Sequence, residues 1–138
     1  MKSKKNLTAS LENYLKAIYH IVQEQKAARV KDVSKYLNIG ASSVSEALKT
    51  LAEKDYINYQ PYGIITLTET GEAAAKAINN RHEIICDFLE NVLLVKKENV
   101  AINASKIEHG VTEDVLEKFV RFLTFMQTCS CKEPKWIK

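Results

Sequence analysis

His82 and Cys86 stand four residues apart, and Ser105, Glu108 and His109 follow at helical spacing. Side chains at i, i+3 and i+4 share one helix face. The first pair would therefore lie one turn apart at the edge of an apolar stripe, and the second set would share a face of the next helix. Two imidazoles, a carboxylate and a thiol on adjacent antiparallel helices form a donor set for a divalent transition metal. Plain packing is the alternative, since a histidine or cysteine also fits a core edge and a glutamate fits a solvated face. Cys129-Ser130-Cys131 adds two soft donors. With Cys86 they could meet a metal or a cluster if the tail folds back, although Fe–S clusters are usually held by four thiolates. A surface pair without a partner is the simpler reading of that tail. His20 is read as structural.

These residues need a scaffold, and the sequence specifies one. In Val30–Thr68, VKDVSKYLNIGASSVSEALKTLAEKDYINYQPYGIITLT, the apolar residues Val33, Leu37, Val44, Leu48 and Leu51 recur at helical spacing. Asn38-Ile39-Gly40 interrupts the pattern, with Gly40 expected to take the positive φ of a helix C-cap. Ile57 and Tyr59, then Ile65 and Leu67, alternate as the arms of a ribbon turning at Pro61-Tyr62-Gly63. Helix, tight turn, helix and ribbon in this order predict a winged helix-turn-helix DNA reader. Its second helix shows a small polar face of Ser42, Ser43, Ser45, Glu46 and Lys49, and Tyr62 lies at the tip of the wing. These six are the expected DNA contacts.

A first helix over about 10–23 carries two apolar strips, one of Leu11, Leu15, Ile18 and Val22 and one of Tyr14, Ala17 and Ile21. Such a helix is expected to pack against two partners, the reader and the C-terminal half. Thr68 is a plausible N-cap for a long helix over 69–93, with Ile78, Ile85, Leu89 and Leu93 as its stripe. A helix over 96–109 should bury Val100, Ala104 and Ile107 and end at Gly110. Thr112-Glu113-Asp114 then caps a last helix rich in large apolar residues from Val115 to Met126, suited to a subunit interface. The predicted fold is mainly α: a winged helix-turn-helix domain (1–71) with a small ribbon wing, a helical metal-binding and dimerisation domain (72–128), and a tail (129–138).

The chain has 138 residues, 46% hydrophobic and 27% charged, an ordinary globular composition. The net charge of +3 lies wholly in the first half, where residues 1–71 carry ten Lys and Arg against seven Asp and Glu. That is the half which phosphate attraction would use. No segment reaches the roughly 20 apolar residues of a membrane span, and the basic N-terminus lacks the apolar run of an export signal. A cytoplasmic location is expected. Three cysteines without such a signal do not suggest a disulfide framework.

The segments ASLENYLKAIYHI, VKDVSKYLNIGASSVSEALKTL, GIITLTETGEAAAKAINNRHEIICDFLENVL and ASKIEHGV together resemble the diphtheria toxin repressor/manganese transport regulator family over about residues 8–126. RHEIICDFL paired with KIEH is particular to that family. The resemblance implies a homodimeric repressor of metal-homeostasis genes that binds palindromic double-stranded operator DNA when loaded with Fe(II) or Mn(II). It resembles the shorter manganese-regulator form, without an SH3-like third domain.

Carried over by position, His82, Glu108 and His109 match family ligands. Asn13 stands where the family has Met or Asp, and Ser105 where it has Cys or Glu. Lys16 replaces the second N-terminal carboxylate of the manganese type. Ala101 replaces a further histidine of the iron type, and Cys86 replaces the Glu one turn after the first histidine. One carboxylate remains, and Lys16 would oppose a cation. The expected site is His82, Glu108 and His109, with Cys86 as fourth ligand and Asn13 or Ser105 completing it. That set favours Fe(II), with Zn(II), Co(II) or Mn(II) as the alternatives and Mn(II) the least suited of them. The metal would join the first helix, through Asn13, to the dimerisation half. It would thereby set two recognition helices about 34–36 Å apart, one turn of DNA. Two other readings stay open. One is a winged-helix regulator that has lost metal response and senses redox state through Cys86, Cys129 and Cys131. The other is a metalloenzyme using His82, Glu108 and His109.

Overall fold

Thr8 opens the first helix by accepting the Leu11 N–H on its hydroxyl at 3.2 Å, and Lys26 closes it in the left-handed region at φ 74°. Helix α1 (Ala9–Gln25) is followed by α2 (Val30–Leu37), α3 (Ala41–Glu53), strands β1 (Ile57–Tyr59) and β2 (Ile65–Leu67), and α4 (Glu69–Asp87). A π-helical turn (Phe88–Val92) ends α4, and α5 (Lys97–Gly110) and α6 (Glu113–Gln127) complete the chain. The computed structural model describes residues 7–60 and 63–128. Pro61 and Tyr62 of the predicted wing turn, and Cys129 and Cys131 of the predicted tail, lie outside the described residues. The chain divides into two units between Ile78 and Asn79, within α4.

In the first unit both apolar strips of α1 enter one core. Leu15 and Ile18 of the first strip and Tyr14 and Ile21 of the second join Val33, Val44, Leu48, Leu51, Ile57 and Ile65. The two strips therefore widen a single buried face. The turn between α2 and α3 differs from expectation. Asn38, not Gly40, adopts the left-handed conformation (φ 58°), which a short polar side chain tolerates. Gly40 is extended (φ −61°, ψ 150°) and serves as the N-cap of α3, its carbonyl accepting the Val44 N–H at 3.1 Å.

The ribbon forms in the register that the alternation predicts, Ile57 opposite Leu67 and Tyr59 opposite Ile65. Ala28 adds a bridge to Ile65 on the other edge of β2, with bonds of 3.0 and 2.7 Å. Thr68 caps α4 as expected, its hydroxyl accepting the Gly71 N–H at 2.9 Å and donating to the Asp55 carbonyl at 2.6 Å. Gly71 is required there, because a Cβ would sit 1.8 Å from the Tyr56 carbonyl oxygen. Tyr56 is buried at this junction, and burial raises its phenol pKa above the ordinary 10.0.

The second unit has its own core of Ile84, Ile85, Leu89, Val100, Ala104, Leu116 and Leu123. Phe88 meets Phe119 edge to face at 6.0 Å between ring centres. Of the predicted core of α5, Val100 and Ala104 are buried and Ile107 is half-buried. Thr112 is the N-cap of α6 by backbone position, but its side chain makes no cap bond. On α6, Val115, Phe122 and Phe125 share a face that is open to solvent, Phe125 by 62%. Among the described residues no helix is long and apolar enough to cross a membrane.

Candidate metal centre and nucleic-acid interface

The polar face of α3 is built by the same periodicity that buries its apolar one. With Val44, Leu48 and Leu51 in the core, Ser42, Ser43, Glu46 and Lys49 are exposed and Ser45 is half-buried. Beside this face lies an open groove of about 700 Å³, lined by Arg29, Val30 and Lys31 from the start of α2, Ser45, Lys49, Ala52 and Glu53 from α3, and Tyr59 and Gly63 from the ribbon. Arg29, Lys31 and Lys49 give the groove three cations against one carboxylate, Glu53. The start of α2 is fixed by Asp32, whose carboxylate accepts the Arg29 N–H at 3.0 Å and the Gln25 amide at 3.0 Å. Arg29 and Lys31 were not among the residues singled out from sequence. Their signal was the basic pair flanking Val30, which acquires meaning only once the ribbon is placed beside it. His20 stacks on Tyr36 at 6.4 Å between ring centres and meets Tyr19 edge-on at 5.8 Å, a structural setting.

The second polar constellation lies where α4 meets α5. Glu108 is 5% exposed and is the only buried charged side chain among the described residues. A solvated glutamate is therefore excluded. Buried carboxylates need partners, and consecutive residues of α4 supply them. Arg81 Nε donates to Glu108 Oε1 at 3.0 Å, and His82 Nδ1 lies 2.5 Å from Oε2. Burial pushes the Glu108 carboxyl up. The hydrogen bonds and charges of His82 and Arg81 outweigh burial and hold it below the ordinary carboxylate value. On the far side of the imidazole, Cys86 Sγ lies 3.5 Å from His82 Nε2.

Six expected donors thus fall into three situations. Glu108, His82 and Cys86 form one chain of contacts, with the imidazole between carboxylate and thiol. Ser105 is half-buried on α5, and His109 is exposed in its last turn. Asn13 is exposed on α1, in the first unit. The donor chemistry fits a first-row divalent ion, with a buried carboxylate already against an imidazole. The arrangement is less complete: among the described residues, no three His, Cys, Asp or Glu side chains are gathered as ion ligands. Glu108 and Cys86 address opposite nitrogens of one ring, so one imidazole nitrogen cannot join both to the same ion. Arg81, which sequence reasoning passed over, takes the other carboxylate oxygen.

Comparison with known proteins supports both halves. Residues 6–65 match the family described as iron dependent repressor, N-terminal DNA binding domain. Residues 68–137 match iron dependent repressor, metal binding and dimerisation domain. An uncharacterised helix-turn-helix transcriptional regulator of Methanocaldococcus jannaschii is 35% identical over 118 residues, 85% of this chain and 94% of the relative. The transcriptional regulator MntR of Shouchella clausii is 30% identical over 120 residues, 87% of this chain and 83% of the relative. Among solved structures, a manganese-dependent transcriptional repressor in complex with manganese superposes with a TM-score of 0.69 at 31% identity. That match covers 83% of this chain but 53% of the other, so this chain spans little more than half of that protein.

Proposed function

This chain belongs to the iron-dependent repressor family of metal-dependent transcriptional repressors, and from that membership we propose that it is a homodimeric, cytoplasmic repressor whose affinity for a palindromic operator is set by a divalent metal. The relatives are transcriptional regulators and not enzymes, which sets aside the metalloenzyme reading of His82, Glu108 and His109.

The observation that carries the DNA half is the exposed polar face of α3 beside a groove bearing Arg29, Lys31 and Lys49. Ser42, Ser43 and Glu46 are short or flexible enough to reach base edges, while the three cations suit phosphates on either side. The apolar face of Val115, Phe122 and Phe125 is the proposed subunit contact, because monomers seldom expose contiguous apolar surface.

Glu108 and His82 would hold the metal, with Ser105 and His109 as further donors on α5, and Cys86 would join them only once the His82 ring turns from its present contacts. The ion would supply a second positive charge at a carboxylate that low polarity makes sensitive to it. One carboxylate with imidazole and thiol nearby favours Fe(II), Co(II) or Zn(II) over Mn(II).

The test is operator binding by the full chain with and without Fe(II) or Co(II) under anaerobic conditions. Metal should raise operator affinity, and by linkage the operator should raise metal affinity by the same factor. Equal operator affinity with and without metal would refute the metal-responsive reading. If binding also collapsed on mild oxidation, the Cys86–His82 contact would become the switch.

A further inference from the structure

Glu108 already holds a cation. Its side chain is 2% exposed and that of Arg81 23%, so their 3.0 Å ion pair is largely screened from water. A guanidinium cannot shed its proton to leave such a pair, and a carboxylate buried this deeply requires a positive partner. Arg81 and His82 are neighbours on α4, and they occupy both oxygens of the one carboxylate in the cluster. A divalent ion cannot gain full use of that carboxylate while Arg81 keeps its share.

We infer that Arg81 is an internal counter-cation that competes with the metal for Glu108 and sets the threshold at which the site loads. The inference rests on the metal-binding reading above and adds a residue to it that donates nothing to the ion. Ion uptake becomes an exchange: Glu108 passes from Arg81 to the metal, and the guanidinium, already partly exposed, turns to solvent. The buried carboxylate is thus neutralised at every metal concentration, by Arg81 before loading and by the ion after it. The cost is an affinity lower than the donors alone would give. The competing role for such a residue is support, as when outer partners orient a ligand and their removal weakens binding. The two roles predict opposite signs.

The experiment is a Co(II) titration of the full chain under reducing conditions, followed by ligand-field absorbance and calorimetry, on the native protein and Arg81→Gln. Thermal unfolding of each is recorded with and without Co(II). Arg81→Gln should bind Co(II) more tightly by about tenfold or more, a change opposite in sign to the tenfold or greater loss that removing a supporting partner brings. The variant should also melt lower than the native protein when metal-free, and this deficit should shrink when loaded.

Should the variant fold poorly, phenylglyoxal labelling of the native protein gives the same answer, because Arg81 should react faster with Co(II) present than without. Unchanged or weaker affinity in Arg81→Gln, or labelling that Co(II) leaves unchanged or slows, overturns the inference. Native protein that binds Co(II) while these results fail leaves the metal-binding reading intact. Absence of binding in both proteins defeats the two together.

Discussion

Among the described residues, the head formed by α1–α3 and the ribbon buries no charged side chain, its core running from Leu15 and Ile18 to Leu51 and Ile65, whereas the helical unit after Ile78 buries the charge of Glu108. Each solution suits its task. The head matches a DNA binding domain, and the residues proposed to meet DNA, Ser42, Ser43, Glu46 and Lys49, stay exposed while the core holds α3 in place. Phosphate recognition needs reach and counterion exchange, both of which water permits. The second unit matches a metal binding and dimerisation domain, and a charge acts most strongly where water is excluded. The lesson is that a dry core fixes a shape, and a buried ion pair keeps a shape conditional.

Several substitutions break or sharpen this contrast. The largest effect is expected from Leu48→Ala, which opens a cavity in the head's fully buried core and should cost about 3 kcal/mol or more. Chemical denaturation would measure it, and a loss below about 1 kcal/mol would mean that the α3 core collapses easily.

Glu108→Ala should come next. It removes the carboxylate that Arg81 and His82 share and should cost about 3 kcal/mol, the low end for breaking a buried pair, since Arg81 is partly exposed. Metal binding should vanish with it in calorimetry. Full Co(II) affinity in this variant would move the site elsewhere.

Phe122→Asp, on the open face of α6, is expected to leave the subunit folded but dissociate the dimer, because a charge in a dry contact costs several kcal/mol. Sedimentation at micromolar concentration decides it, and a variant that stays dimeric moves the interface.

Lys49→Ala and Lys31→Ala should alter stability by less than about 0.5 kcal/mol, as surface changes do. Each should lower the slope of operator affinity against salt by about one. An unchanged slope for either residue removes it from the phosphate track.

The smallest effect is a pH dependence. Because Glu108 is held below its ordinary 4.5 in the fold, its contribution is present above that value. It is lost as pH falls through the lower folded value. Glu108→Gln should flatten the acid limb of apo melting temperature against pH, and an unaltered limb would show that other carboxylates govern it.

Much of this was legible in the residues. The helical recurrence of Val44, Leu48 and Leu51 and the alternation of Ile57, Tyr59, Ile65 and Leu67 predict the head down to its strand register. Local rules sufficed because each element carries its own period. The exchange of roles between Asn38 and Gly40 was not legible, since both residues tolerate the left-handed conformation and packing chooses. The π-helical turn at Phe88–Val92, and Leu94 at φ 58° after it, carry no glycine or proline to announce them.

By itself the sequence determined the order of helices and ribbon, the apolar stripes, the polar face of α3 and the motifs RHEIICDFL and KIEH that mark the family. Those are properties of neighbours along a chain, where spacing of one to four residues decides which side chains share a face. Only the tertiary structure decided that Glu108 is buried, that Arg81 and His82 divide its two oxygens from 27 and 26 residues away, and that Cys86 meets the other side of the imidazole. The physical reason is that a carboxylate's partners depend on how much water surrounds it. That is a property of the packed core of α4, α5 and α6, which no single stretch of residues contains.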